Sequence, residues 1–469
     1  MLSFFQPEGG PEGRSRPKPM RAPRVLAINP YIYDFAAYNF WSNPLGLLYV
    51  SSILRQNGLP VEVIDCMRVR EDKRKLDGRG PFIKEKVPKP EILGVVPKQY
   101  RRYGMSPGEF VRILETRTAP DLVLITSIMT YWYQGAVEIS ELVRQACPQA
   151  KIVIGGIYPT LCHEQATLNF KAADLIIPSN AIGTFYKFVE DELNYTLSFK
   201  PMLDDLDILP YPAHDLLDTL PFVPLLTSLG CVFRCTYCAT SFMYPSMTRR
   251  SPGSVLGEIV HWHLQGVRRF VIYDDSFLYS SEDFAKPLLR KIAGLPYAVD
   301  IYNPNAVNAA FIDQEMAELF ARSGFREVRI GLESVDPAVQ SATGGKVTEA
   351  VFERAIRALK GAGYSREQLK VYILAGLPRQ PWQDVKRAID YLRSLDVTPY
   401  LAEYTPIPHT PMYEQFKDIA KFPVAEDAIY QNNALFPYAW EGFTEDDLNR
   451  LKRYAKEKRS QVSGERKNN

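Results

Sequence analysis

Gly230-Cys231-Val232-Phe233-Arg234-Cys235-Thr236-Tyr237-Cys238 is the stretch whose reading decides the rest of this chain. Its cysteines fall at spacing C-x3-C-x2-C, directly after the apolar run from Phe222 to Leu229. Three thiolates on one short loop can converge on one inorganic centre. Four protein ligands close a metal site into a structural one, whereas three leave a position open for substrate. A zinc knuckle needs a fourth ligand, and none of His163, His214, His261, His263 or His409 stands at knuckle spacing. The loop therefore predicts an iron–sulfur centre on Cys231, Cys235 and Cys238 with one iron uncovered.

Downstream of the loop, apolar runs alternate with helical periodicity. Strands are expected at 224–229, 269–275, 298–303, 327–333, 369–376 and 399–404, with helices at 254–265, 281–293, 313–323, 348–362 and 382–395. Six such repeats between residues 221 and 411 predict an open, partial barrel, since a closed one needs two more. Barrel enzymes place their chemistry at strand carboxyl ends, where this chain carries Asp274, Asp275, Asn303, Glu333, Gly376 and Tyr404. Residues 412–469 read as a C-terminal helical extension with a helix over 444–458. His409, after the sixth strand, faces the reaction end, where it can touch substrate or relay a proton.

Upstream of the loop, a Pro- and Asp-rich linker spans 201–220, and a second alternating series spans 23–200. Its strands are expected at 24–30, 61–65, 121–127, 151–156 and 173–177, with helices at 44–58, 136–146 and 184–193. This pattern predicts a doubly wound parallel sheet with ligands beyond the carboxyl ends of its strands. Those ends carry Asn29-Pro30, Thr126-Ser127, Gly155-Gly156 and Pro178-Ser179. Residues 67–104 form an insertion with twelve Lys/Arg against five Asp/Glu. It reads as a lid or basic collar, or else as a solvated loop.

Composition narrows the class. Hydrophobic content of 46% suits a globular chain with a full core, and 469 residues suit two or three domains. A net charge of +2 points to no nucleic-acid partner. Six cysteines, three of them in one loop, do not make a disulfide framework, so a reducing, cytoplasmic setting is expected. Residues 1–22 are rich in Gly, Pro and charge and read as a disordered tail. No apolar run is long enough to span a membrane.

With motif, position and partial barrel in agreement, residues 221–411 resemble the radical S-adenosylmethionine enzymes; Tyr237, the aromatic before the last cysteine, belongs to the same pattern. The resemblance implies a [4Fe-4S] cluster on Cys231, Cys235 and Cys238, whose open iron takes the amino and carboxylate groups of S-adenosylmethionine. It implies Asp274 or Asp275 for the ammonium, Asn303 and Glu333 for the ribose or carboxylate side, and the strand ends at Gly376 and Tyr404 beside the adenine. Tyr404 and His409 are the candidate catalytic side chains. An external one-electron reductant of flavodoxin or ferredoxin type is implied, with a small-molecule or peptide substrate.

The front unit resembles the cobalamin-binding domain that precedes the barrel in one subfamily. That likeness rests on Pro44-Leu-Gly-Leu-Leu-Tyr, Asp121–Ser127, Gly155–Thr160 and Ala173–Ile177. It implies cobalamin near Asn29, Ser127, Gly155 and Gly156. The D-x-H-x-x-G signature is absent, and Pro178-Ser-Asn-Ala stands where the subfamily has an acidic Gly-Glu turn. The combination implies methyl transfer to an unactivated carbon or to phosphorus. The alternatives are a radical oxidase, cyclase or rearrangement enzyme with a vestigial front unit, a methylthiotransferase using Cys66, Cys147 and Cys162, and a non-enzymatic iron–sulfur protein.

Overall fold

The computed structural model describes residues 21–345 and 347–457. The tail expected over 1–22, apart from Arg21 and Ala22, and the charged end past 457 lie outside the described residues.

The front unit is built from β1 (Val25–Asn29), β2 (Ile32–Asp34), α1 (Leu45–Gln56), β3 (Val61–Asp65), β4 (Lys84–Lys86), β5 (Arg101–Tyr103), α2 (Pro107–Glu115), β6 (Leu122–Ser127), α3 (Tyr133–Ala146), β7 (Lys151–Gly156), α4 (Ile157–Leu161), α5 (His163–Asn169), β8 (Leu175–Ile176) and α6 (Ile182–Leu193). Its main sheet runs β3-β1-β6-β7-β8, all parallel. Side chains alternate between faces, so Val25 and Ala27 pack on α1 and α6 while Leu26 and Ile28 pack on α2 and α3. Both faces are covered, which is why these strands read as unbroken apolar runs. The strand order reverses between β1 and β6. A doubly wound sheet opens its ligand crevice at that reversal, beyond the carboxyl ends.

The basic insertion divides in two. One part adds a small antiparallel sheet, β2-β5-β4, at the carboxyl end of the main sheet. The other part clamps the two units together. Arg269 Nε donates to Leu76 O (2.6 Å), and Trp41 Nε1 donates to Asp77 O (2.8 Å). Many of its charges pair locally, Arg70 with Asp72, Arg74 with Glu71, Arg79 with Asp77 and Arg102 with Glu85.

The second unit comprises β9 (Val223–Leu225), β10 (Ser228–Leu229), α7 (Thr240–Met243), β11 (Thr248–Arg249), α8 (Pro252–Leu264), β12 (Arg269–Ile272), α9 (Ala285–Ala293), β13 (Asp300–Tyr302), β14 (Val307–Asn308), α10 (Gln314–Ser323), β15 (Val328–Glu333), α11 (Pro337–Ala342), α12 (Glu349–Gly361), β16 (Leu369–Ala375), α13 (Trp382–Ser394), β17 (Thr398–Glu403), α14 (Pro411–Phe416) and α15 (Glu445–Lys456). The strands are parallel in the orders β9-β12-β13 and β14-β15-β16-β17, which is the expected partial barrel with its third strand broken after Tyr302. Asn303 spans the break. Its Nδ2 donates to Arg329 O (2.9 Å), and its Oδ1 accepts from Arg329 N (3.2 Å), as a ladder residue would.

Outward residues of the barrel strands, such as Val328, Ile330, Val371 and Ile373, pack under the helices. Inward residues Phe222, Val271 and Tyr302 meet Trp41, which the front unit inserts from the loop between β2 and α1. Trp41 is fully buried, stacks on Tyr302 at 4.9 Å and lies under Arg79 at 4.0 Å. Beyond α14, residues 422–436 return to the front unit. Ala428, Ile429 and Leu435 join its core, and Tyr133 Oη donates to the Asp427 carboxylate at 3.0 Å. Among the described residues no helix is long and apolar enough to cross a membrane.

Candidate active site

The cysteine loop leaves β10 at Gly230, whose φ of +84° and near-contact with Ser246 O (2.6 Å from a built Cβ) allow no side chain. Asp274 anchors the base of the loop. Its carboxylate accepts from Thr227 N (2.7 Å), Thr227 Oγ1, Ser228 N (3.2 Å) and Ser228 Oγ (3.0 Å). Burial raises its carboxyl above the usual carboxylate range, and those four donors offset only part of that. Asp274 is therefore engaged inside the protein. The neighbouring Asp275 is exposed and lines a cleft, and its carbonyl lies 3.9 Å from Cys231 Sγ.

That cleft, about 630 Å³ counting the solvent at its open mouth, lies between the cysteine loop and the carboxyl ends of β14 and β15, with Phe233, Asp275, Tyr279, Asn308, Phe311 and Glu333 in its wall. Glu333 sits at φ +67°, just past a register slip in the β15–β16 ladder. A Cβ on Gly331 would lie 3.1 Å from Glu333 Oε1, so the glycine makes room for the carboxylate to fold back over the sheet. Strain of this kind gathers at functional sites. Tyr237 hydrogen-bonds Glu333; burial first, and then the Glu333 charge, push its hydroxyl well above the usual tyrosine range. Tyr237 thus remains a protonated donor. Asn308 Nδ2 is buried here without a hydrogen-bond partner. Sequence reasoning passed over Asn308 because the third strand was expected to end at 303. Its one signal was a polar residue closing the short run Ala306-Val307.

Cys231, Cys235 and Cys238 lie on this one loop, Cys235 against Gly344 (3.5 Å from a built Cβ to Sγ) and Cys238 Sγ 3.3 Å from Thr240 Oγ1. Burial pushes the Cys238 thiol up, partly offset by Thr240. Among the described residues no three His, Cys, Asp or Glu side chains converge closely enough for a single metal ion. The donor set suits a polynuclear centre: three soft sulfurs, each able to hold a different iron, beside a cleft for the fourth iron's ligand. Cys66, Cys147 and Cys162 stand apart, at the end of β3, after α3 and after α4.

Three expected cofactor contacts are buried in the structure, each with partners inside the protein. Asn303, nearly fully buried, closes the barrel as described. Gly376, at φ +85°, is covered by Phe436, whose ring lies 2.4 Å from a built Cβ, and its N–H donates to Gln380 Oε1. Tyr404 is buried in an aromatic cluster with Tyr438 (5.6 Å between centroids), Met412 and Leu377, against which Tyr237 packs. His409, at φ +64°, stacks on Phe242 at 3.9 Å, and its Nε2 donates to Leu161 O of the front unit at 3.0 Å. It ties the segment after the cysteines to the other unit.

A second cleft, of about 460 Å³, opens at the strand-order reversal of the front sheet. Asn29, Pro30, Thr126 and Ser127 form its floor, and Met67, Phe82 and Trp132 are among its walls. Asn29 is held by a bond from its Nδ2 to Asp65 Oδ1 (2.8 Å). Ser127 Oγ is buried without a hydrogen-bond partner among the described residues. The floor therefore fits a flat ligand that brings an acceptor. Gly155 and Gly156 do not line this cleft. Gly156, at φ +110°, is required because a Cβ there would lie 2.4 Å from Ser127 O, and the edge beyond it is closed by Thr160, Ser179 and the segment 239–244.

The sequence profile of the Radical SAM superfamily matches residues 225–392. An uncharacterised methyltransferase of Pyrococcus horikoshii is 24% identical over 375 residues, covering 73% of this chain and 77% of that one. The cytidylyl-2-hydroxyethylphosphonate methyltransferase of Streptomyces wedmorensis is 24% identical over 392 residues, covering 69% and 67%. Among solved structures, TsrM of Kitasatospora setae, with cobalamin and a [4Fe-4S] cluster bound, superposes with a TM-score of 0.60 at 18% identity over 85% of this chain and 78% of that one. OxsB, a cobalamin-dependent S-adenosylmethionine radical enzyme, superposes with a TM-score of 0.55 at 15% identity, over 90% of this chain but 57% of its own. At such identities the likeness is one of fold. The cysteine loop and the partial barrel fall on the segment that this profile matches, so residues 225–392 form a Radical SAM domain.

Proposed function

We propose that the chain is a cobalamin-dependent radical S-adenosylmethionine methyltransferase acting on an unactivated carbon or on phosphorus. The observation that carries this is the pair of clefts, one at the cysteine loop and one at the strand-order reversal of the front sheet, both at strand carboxyl ends of a single chain. When bound, a cluster on Cys231, Cys235 and Cys238 supplies the electron that cleaves S-adenosylmethionine to a 5′-deoxyadenosyl radical, and a corrinoid supplies methyl-transfer chemistry.

The chain's own residues orient these groups. Asp275 receives the cofactor's ammonium, Glu333 and Asn308 hold its polar edge, and Phe233 and Phe311 give apolar walls. Tyr237, protonated, keeps Glu333 in place. Asn29 and Ser127 present an amide and a hydroxyl to the corrinoid. Trp41, the 74–80 clamp and the returning segment 422–436 hold the units together and exclude water from the space between. The methyltransferase relatives from Pyrococcus and Streptomyces support this reading, as does the cobalamin in TsrM.

The test is anaerobic reconstitution of the full chain with iron, sulfide and hydroxocobalamin. The proposal expects about four irons per chain, a retained corrinoid spectrum, and both S-adenosylhomocysteine and 5′-deoxyadenosine from S-adenosylmethionine under strong reductant. Formation of 5′-deoxyadenosine with no corrinoid retained would refute it and leave the oxidase or cyclase reading.

A further inference from the structure

Asp34, at the end of β2, is 2% exposed and makes no ion pair among the described residues. All four of its donors are neutral. Oδ1 accepts from Phe35 N (2.6 Å), Ala36 N (3.3 Å) and Asn432 Nδ2 (2.9 Å), and Oδ2 accepts from Trp132 Nε1 (2.6 Å). Trp132 walls the second cleft. Asn432 belongs to the returning C-terminal segment, is itself buried, lies 398 residues away in sequence and does not line that cleft. A buried carboxylate without a cation opposite it is costly, and an amide of the same shape would avoid that cost. What an amide cannot do is accept on both sides: either Trp132 or Asn432 would then face a donor.

We infer that Asp34 is a positioning residue that fixes the Trp132 wall of the second cleft and couples it to the C-terminal segment through Asn432. The shape of the corrinoid site then depends on a segment that never touches the ligand, a consequence that rests on the cobalamin reading given above. Asn432 adds a buried polar tie to the contact that Ala428, Ile429 and Leu435 make with the front-unit core, beside the bonds from Tyr133 to Asp427 and from Ala428 N to Gln165 Oε1.

The full chain, labelled with 5-fluorotryptophan and loaded with its cluster, tests this by fluorine NMR and by absorbance titration with hydroxocobalamin. Trp132→Phe identifies the Trp132 resonance. Asp34→Asn is expected to shift that resonance and to weaken hydroxocobalamin binding about tenfold, the usual cost of losing a charge-assisted hydrogen bond. Asn432→Ala, the variant to rely on if Asp34→Asn fails to fold, is expected to shift the same resonance and weaken binding severalfold. Iron content and S-adenosylmethionine cleavage should stay at wild-type values in both, which a general loss of structure would not allow. A Trp132 resonance and an affinity unchanged in Asn432→Ala overturn the inference. Wild-type protein that binds no hydroxocobalamin, while the variants still move the resonance, removes the cobalamin reading and upholds the coupling.

Discussion

His214 gives this fold a calculable sensitivity to acid. It lies in the connection between the two units, fully buried and edge-on to Trp262 at 5.4 Å, and among the described residues neither ring nitrogen makes a hydrogen bond of good geometry, the Pro224 backbone being only a weak neighbour. Burial lowers its pKa from 6.5 to about 4, with the Pro224 backbone and the Asp215 charge offsetting only part of the effect. The folded protein therefore keeps the ring neutral where the unfolded chain already binds a proton. Stability from this residue is complete above pH 6.5 and is lost as pH falls toward 4. The full difference of 2.5 pKa units corresponds to about 3 kcal/mol, and about 2 kcal/mol of it is lost by pH 5. The comparison is wild type against His214→Phe, which keeps the ring and its contact with Trp262 but cannot titrate. Urea unfolding of both proteins at pH 7.5 and pH 5 isolates the residue, because every other titrating group is common to the two. The wild type should lose about 2 kcal/mol more than the variant over that interval. Parallel pH profiles would show that the ring is solvated or protonated in the fold, and the argument from burial would fall.

Three further outcomes follow from the same geometry. Trp41→Ala empties the inner face of the barrel and removes the stack on Tyr302, so unfolding in urea should show a loss of about 3–5 kcal/mol; a loss below 1 kcal/mol would mean that the barrel refills without it. Gly156→Ala forces a Cβ to within 2.4 Å of Ser127 O at φ +110°, and thermal unfolding should report at least about 2 kcal/mol of destabilisation together with weakened hydroxocobalamin binding. Glu333→Gln removes the charge that Tyr237 faces while keeping the side chain's volume. Equilibrium binding of S-adenosylmethionine should weaken about tenfold with iron content intact, and unchanged binding would take Glu333 out of the site.

The cysteine loop was legible because its information is local: three ligand residues within eight positions, followed by an apolar-helical alternation that only a parallel α/β barrel explains. That Asn29 and Ser127 stand at the mouth of the front sheet was legible for a related reason, since strand order and carboxyl ends already restrict where a doubly wound sheet can open. What sequence could not separate was the polar residue that waits for a ligand from the polar residue that completes the fold. Asp274 and Asp275 are adjacent, yet one is bound by Thr227 and Ser228, 47 and 46 residues away, while the other lines the cleft. Asn303 and Asn308 end the two halves of one broken strand, and it is the second whose amide nitrogen is left without a partner. The glycines divide in the same way. At Gly156 and Gly376 the nearest obstacles to a side chain are Ser127 O and the Phe436 ring, both within the protein. Composition at a strand end therefore marks where chemistry is possible, and the long-range partner decides which residue is left to perform it. In this barrel Asp275, Glu333 and Asn308 line the cleft beside the cysteine loop, and the Asn308 Nδ2 is buried there without a hydrogen-bond partner among the described residues. In the front sheet Ser127 lies on the floor of the second cleft, its Oγ buried without a hydrogen-bond partner among the described residues.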